Sequence, residues 1–270
     1  MQTKKTKTVL ITGTGSGLGK EAAIALARRG HRVLSTVLYE SQIQELETIK
    51  KEENLNIEIF KLDVRIEEDR KKILSYLPID VFIVNSAIGD SGSVCDVSIR
   101  RIRDVFETNI FSNLEMVQLV LKPMIEQQKM GRIVFLSSMA GRIPAPFLSP
   151  YCASKSAIES FATCLRLEMK YLKDSNIEVA VIEPGAYATG FNKENNSKKY
   201  TWMKDTSYFK NQVKDLKKIE VPVWNFLEQK PYTSIIHKYI QVVETKHLKH
   251  RYYSPWWQAF FVQLGRILGM

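Results

Sequence analysis

The sequence predicts an α/β chain, a single doubly wound domain in which a mostly parallel sheet is flanked by helices on both faces. Three observations carry this reading. Short, continuous apolar runs recur along the chain, the pattern of strands buried on both sides. Helical stretches separate them, which is the rhythm of a parallel sheet. The first run ends in a glycine-rich turn that opens a helix. A length of 270 residues suits one large core better than two, so residues 1–270 are expected to form one domain.

Composition fits a globular protein, with 44% apolar and 25% charged residues. The net charge of +10 would suit nucleic acid or an anionic membrane, but the lysines are spread along the chain and no nucleic-acid-binding motif accompanies them. A basic surface that attracts anionic cofactors is the expectation, with no nucleic-acid partner. Cys95, Cys152 and Cys164 lie far apart, and the histidines are not interleaved with them at zinc-ligand spacing, so no metal is expected. The odd cysteine count and the lack of an apolar run after the basic start, Met1 to Thr8, point to a reduced, cytoplasmic compartment. No segment reaches the roughly 18 apolar residues of a spanning helix.

Taken in order, Thr8 to Thr12 is a strand. It runs into Gly13-Thr14-Gly15-Ser16-Gly17-Leu18-Gly19, and an Ala-rich helix continues to Arg29, with a stop at Gly30. Glycines let a backbone approach a pyrophosphate, and the helix start meets its charge. The alternative is a merely flexible turn. A second strand, Arg32 to Val37, ends in Val37-Leu38-Tyr39, with neither an acid for the ribose hydroxyls of NAD nor an arginine for the phosphate of NADP. Ser41 is expected to cap a helix to about Glu53, and Ile57 to Lys61 to form the third strand. Asp63 then either holds an adenine amino group or caps the next helix. Val81 to Val84 is the fourth strand, ending at Asn85-Ser86-Ala87. A long helical region through Asn109 and Asn113 is expected to break near Pro123. A fifth strand, Arg132 to Leu136, delivers Ser137 and Ser138 at its carboxyl end, where open parallel sheets bind ligands. Glu178 to Ile182 is the sixth strand and leads into Pro184-Gly185 and Thr189.

Between the fifth and sixth strands lies Tyr151-Cys152-Ala153-Ser154-Lys155, on a helix running to about Lys173 with Ala157, Phe161 and Leu165 as its buried stripe. Tyr151 and Lys155 are i and i+4 and share one face, where an ammonium favours the phenolate. Spacing alone does not single out this pair, because Tyr200 and Lys204 repeat it. Its neighbours do.

Together these motifs resemble the classical short-chain dehydrogenases/reductases, over about two thirds of the chain from Thr8 to Thr189. The resemblance implies a Rossmann-like fold, a cofactor site and a catalytic tetrad. In the tetrad, Tyr151 gives or takes the hydroxyl proton and Lys155 lowers its pKa and holds the nicotinamide ribose. Ser138, not Ser137, bonds the carbonyl oxygen, and Asn109 positions a relay water. Cofactor contacts would come from Gly13, Ser16, Gly17, Leu18, Gly19, Asp63, Val64, Asn85, Ala87, Tyr151, Lys155, Pro184, Gly185 and Thr189. Two departures from the family pattern stand out: Asn85-Ser86-Ala87-Ile88 replaces Asn-Asn-Ala-Gly, and Val37-Leu38 leaves the cofactor choice open. Lacking a carboxylate at 37 or 38 to repel a 2′-phosphate, the chain leans to NADP over NAD. A homodimer or homotetramer is expected.

The rhythm lapses between Phe191 and Phe226, an irregular aromatic stretch that makes residues 190–228 a substrate lid. A helix from Pro231 and a short strand near Arg251-Tyr252-Tyr253 follow. Residues 255–270 form an amphipathic helix with Trp257, Phe261, Leu264 and Leu268 on one face, which either packs on its own domain or makes peripheral contact with a membrane. These features favour an NAD(P)-dependent oxidoreductase acting on a bulky lipophilic alcohol, ketone or aldehyde of steroid, retinoid or fatty-acyl type. A non-catalytic dinucleotide-binding scaffold or regulatory protein is the alternative.

Overall fold

A computed structural model describes residues 5–173 and 175–269. The first four residues of the basic start and Met270 of the C-terminal helix lie outside them. In chain order the elements are β1 (Thr8–Ile11), α1 (Gly17–Arg28), β2 (Arg32–Val37), α2 (Ile43–Glu52), β3 (Ile57–Lys61), α3 (Glu67–Lys71), β4 (Val81–Val84), α4 (Ile99–Phe106) and α5 (Ser112–Glu126). They continue with β5 (Gly131–Leu136), α6 (Ser149–Tyr171), β6 (Ile177–Pro184), α7 (Phe191–Thr206), α8 (Val213–Leu227), α9 (Thr233–Glu244), β7 (Arg251–Ser254) and α10 (Trp256–Ile267).

The seven strands pair in the order β3-β2-β1-β4-β5-β6-β7, every pair parallel. Direction reverses between β1 and β4, so a crevice opens at their carboxyl ends, the usual ligand position in such sheets. Their apolar runs are buried because both faces are covered. Leu10, Phe82, Ile133 and Phe135 pack with Met116, Val120, Ile158 and Ala162 on the side of α5 and α6. Val9, Ile11, Ile83 and Val134 pack with Ala23 and Leu26 of α1 and Ile235 and Tyr239 of α9 on the other.

Four expectations are corrected. Ser41 lies inside a 3-10 turn, Glu40–Gln42, and it is Gln42 whose Oε1 accepts from the Leu38 and Tyr39 N–H groups (3.1 and 3.0 Å). Pro123 does not break its helix, which continues to Glu126; its missing N–H costs α5 a single bond, the one to the Leu119 carbonyl. On α6, Phe161 is 42% exposed, and the buried side is Cys152, Ser154, Lys155, Ile158, Glu159 and Ala162. Ala157 and Leu165 do pack, partly buried, against the core, but this helix also turns polar side chains inward, so apolar spacing alone misplaces Phe161 and misses half of the buried side. The 191–226 stretch is not irregular: it is α7 and α8. The buried residues of α7 are Asn195, Asn196, Lys199 and Met203, and a polar buried face leaves no hydrophobic period to read.

Candidate active site

The glycine turn is built by close packing. Gly13 and Gly17 have positive φ (69° and 57°), and a Cβ on Gly19 would lie 2.5 Å from both the Gly13 carbonyl oxygen and Asn85 Nδ2, so only glycine fits there. Asn85 donates to the carbonyls of Thr12 (2.8 Å) and Gly13 (3.1 Å), while Tyr239 donates to Asn85 Oδ1 (2.8 Å). Thr12 Oγ1 accepts from the Asn85 and Ser86 N–H groups, both at 3.1 Å. Tyr239 was not singled out by the sequence, since nothing local marks a tyrosine 154 positions away as a partner of this turn. Ser16 sits at the N-cap of α1, whose first turn holds no acid. Leu18 packs partly against the α1 side of the core. A Cβ on Gly17 would come within 3.4 Å of Thr189 Cβ, so the glycine turn and the loop after β6 face each other.

Ile88 replaces the usual glycine, yet its backbone is held at both ends. Asn109 Oδ1 accepts from its N–H (2.8 Å) and Asn109 Nδ2 donates to its carbonyl (3.0 Å). The second Nδ2 hydrogen goes to Ser154 Oγ (2.9 Å). Asn109 lies in a π-helical turn, Glu107–Phe111, a local widening that often accompanies functional sites. Both of its amide hydrogens are therefore engaged, and its side chain clamps the segment that contains Ala87.

Asp63 does not cap α3, whose N-cap is Ile66. Its Oδ1 accepts from the Arg65 N–H (2.9 Å), and Val64 beside it is buried. Val37 is 0% exposed and packs with Ile24 and Leu46, whereas Leu38 is 39% exposed. Leu38, not Val37, is the side chain available at the tip of β2.

The reactive cluster lies where β5 meets α6. Ser138 lies beside the Tyr151 phenol and pulls its pKa down; its Oγ accepts from the Ala140 N–H (3.2 Å) and stands 3.5 Å from the Pro184 carbonyl. Ser137 is turned away and donates to the Lys155 carbonyl (3.3 Å). Burial pushes the Tyr151 phenol well above its ordinary pKa, against a smaller downward pull from Ser138. The lowering expected from Lys155 is absent: its ammonium is 5.7 Å from the ring centroid and donates to the Leu136 carbonyl (2.8 Å). Burial in turn lowers Lys155 to about 8, with Glu159 opposing. Behind Lys155, Arg251 bridges the buried carboxylates of Glu159 and Glu183, and Arg142 reaches Glu183 at 3.3 Å. Sequence reasoning missed this cluster, as it missed Gln258 of α10, whose Oε1 accepts from the Ala186 N–H (2.8 Å) just after Pro184-Gly185.

Helix α7 starts over this cluster. Phe191 lies 5.5 Å from the Tyr151 ring, directly after Gly190, which has φ of 88°. The helix is tied down by Lys198 to the Gly89 carbonyl (2.8 Å), Trp202 to the Ser91 carbonyl (3.2 Å) and Lys199 to Glu220 of α8 (2.7 Å). Among the described residues, no group of three or more His, Cys, Asp or Glu side chains could hold a metal ion.

The short chain dehydrogenase family model matches residues 7–200. The oxidoreductase YusZ of Bacillus subtilis is 35% identical over 189 residues, 68% of this chain and 66% of that protein. Human retinol dehydrogenase 8 is 32% identical over 191 residues, 68% of this chain and 60% of that protein. The chain thus spans about two thirds of the length of these curated relatives or less. A short chain dehydrogenase/reductase of Burkholderia phymatum, solved in complex with NAD, superposes with a TM-score of 0.80 at 18% identity, over 98% of this chain and 95% of the other. A gluconate 5-dehydrogenase of Burkholderia cenocepacia, solved with NADP and tartrate, gives 0.63 at 20% identity, over 70% and 74%. These last two speak for the fold. With the family model covering most of the sheet and the serine, tyrosine and lysine gathered at its carboxyl edge, the chain belongs to the short-chain dehydrogenase/reductase family.

Proposed function

We propose that the protein is an NAD(P)-dependent oxidoreductase that interconverts an alcohol and a ketone or aldehyde. The observation that carries this is Tyr151 beside Ser138 at the carboxyl edge of the sheet, with Lys155 one turn along the same helix. The relatives' names, an oxidoreductase and a retinol dehydrogenase, support the same class. The residues fit a dinucleotide. Close packing at Gly13 and Gly19 and the positive φ of Gly13 and Gly17 shape the turn that opens α1, the acid-free start of α1 suits a pyrophosphate, Thr189 faces Gly17 across the opening, and Asp63, Asn85, Pro184 and Gly185 are assigned to the same cofactor. When bound, the nicotinamide supplies or accepts the hydride.

The chain's own residues handle the proton. Because burial keeps Tyr151 protonated at neutral pH, it is set to donate to a carbonyl oxygen, the direction of reduction. Ser138 donates to the same oxygen as charge develops on it. Lys155 holds the cofactor ribose, and Asn109 acts as a positioning residue. Helices α7 and α8 form the substrate lid, hinged at Gly190 and closed over Tyr151 by Phe191. Its aromatic lining and the exposed apolar C-terminal helix favour a steroid, retinoid or fatty-acyl substrate. Phe111, Phe161 and Leu167, exposed on or beside α5 and α6, would serve a homodimer or homotetramer. The free cysteines suit a cytoplasmic enzyme with peripheral membrane contact.

Two tests follow from the cofactor contacts. For preference, NADPH should bind more tightly than NADH, and Leu38→Asp should swing the ratio of the two dissociation constants toward NADH by about tenfold. Fluorescence titration of both reduced cofactors checks this, and a wild-type protein that prefers NADH would overturn the NADP assignment. Val37→Asp is unsuitable, since it buries a carboxylate in the core. For pH, Lys155 titrates at about 8, so dinucleotide affinity should weaken as pH rises through that value and the ammonium is lost. Affinity that stays level across that range would remove Lys155 from the cofactor site. The linkage sign for stability is opposite: with the folded pKa below the unfolded one, the unfolded chain binds more protons between about 8 and 10.5, and this group alone makes the fold more stable as pH rises there.

A further inference from the structure

The C-terminal helix is attached to the domain by its less apolar side. Gln258, Ala259 and Gly265 are the buried residues of α10, with Gln258 donating to the Leu227 carbonyl (2.7 Å) and accepting from the Ala186 N–H. The opposite face is wholly apolar and open: Trp256, Phe260, Phe261, Leu264 and Ile267 range from 41% to 74% exposed. This face spans about 140° of the helix at 100° per residue and contains no charged or polar side chain. It continues onto α8, where Ile219, Val223 and Phe226 recur at i, i+4 and i+7 and are exposed. Phe226 meets Trp257 at 6.4 Å, and Trp257 meets Phe261 at 6.3 Å. Two helices thus share one exposed apolar surface, joined through these ring contacts, of the kind that marks partner or membrane contact.

We propose that this α8–α10 surface docks on an anionic lipid bilayer. The charge of the segment selects the occupant. No acidic residue follows Glu244, while Lys246, Lys249 and Arg266 do, and α8 carries Lys214, Lys217 and Lys218 against Asp215 and Glu220; the whole chain carries +10. Negative lipid headgroups attract such a surface, whereas a second copy would bring two net-cationic faces together. Tryptophan at the rim and a helix too short to cross suit insertion to the depth of the headgroups, and no helix among the described residues is long and apolar enough to span a membrane. The helix that touches lipid also pins the loop after Pro184-Gly185, and α8 belongs to the lid. A lipophilic substrate dissolved in the bilayer therefore meets the lid directly. That consequence rests on the proposed function, whereas docking itself does not and is measured without substrate.

The test is sedimentation of the purified chain with phosphatidylcholine vesicles, with and without phosphatidylserine. The expected result is binding that requires phosphatidylserine and falls about tenfold or more in Phe260→Glu/Ile267→Glu and in Ile219→Glu/Phe226→Glu. These side chains are exposed, so the fold tolerates the changes. Tyr171→Glu, at an exposed ring on the far end of α6, should bind as the wild type does. Absence of wild-type binding to the anionic vesicles overturns the proposal, as does binding that neither double variant weakens. A dimer that both double variants dissolve, with no vesicle binding, would assign the surface to a second copy instead.

Discussion

Tyr151→Phe is expected to lower turnover by about 10²- to 10⁴-fold, with the fold and dinucleotide affinity retained. Only the hydroxyl is removed, and the ring keeps its place against Phe191. Burial holds the phenol protonated, so the variant lacks the group assigned to give its proton to the carbonyl oxygen. Ser138→Ala should lose about 10²-fold, since the developing charge then lacks its hydrogen-bond partner. The comparison needs a substrate found by screening NADPH and NADH oxidation against lipophilic carbonyls. A Phe variant that keeps more than about a tenth of the wild-type rate, against the loss expected of a general acid, would refute the role given to Tyr151. Loss of cofactor binding in the same variant would instead indicate damage to the fold.

Arg251→Ala is expected to destabilise the protein by about 3–5 kcal/mol, the usual consequence of stranding a buried charge. Arg251 is the shared partner of Glu159 and Glu183, and Glu183 is fully buried. Burial and the neighbouring Glu183 already push the Glu159 carboxyl above its ordinary pKa, so removing the guanidinium leaves two close carboxylates facing each other. Denaturant unfolding at neutral pH reads the effect, and it should shrink in mildly acid solution as the carboxylates take up protons. A loss below about 1 kcal/mol, the value of an exposed pair, would show that water reaches the cluster. Because Glu159 also raises the Lys155 pKa, the surviving folded fraction should show an altered pH dependence of cofactor binding.

Much of the fold was legible in the sequence because strand burial and helix starts are written in neighbouring residues. The runs Val81 to Val84 and Arg132 to Leu136 stand in the structure almost as read, and so does the glycine turn, because apolar runs and glycine geometry act within a few positions. The choice of Ser138 and Tyr151 came instead from the family resemblance, and the fold brings the two together where β5 meets α6. Where polar groups are buried, local reading failed. Nothing near Asn85 announces Tyr239, 154 residues on. Nothing near Glu159 announces Arg251, 92 residues on, or near Ala186 the Gln258 that holds it from 72 residues away. Helix α7 was read as irregular for the same reason, because Asn195, Asn196 and Lys199 on its buried face look like solvent-facing residues. The sequence by itself determined the sheet and most of its covering helices, since each follows from apolar or glycine patterns over a few residues, while the candidate catalytic positions came from the resemblance of the joined motifs to one family. Only the tertiary structure decided which polar side chains are buried, what satisfies them and which face of α10 is left open, because each depends on partners that only the folded chain brings together.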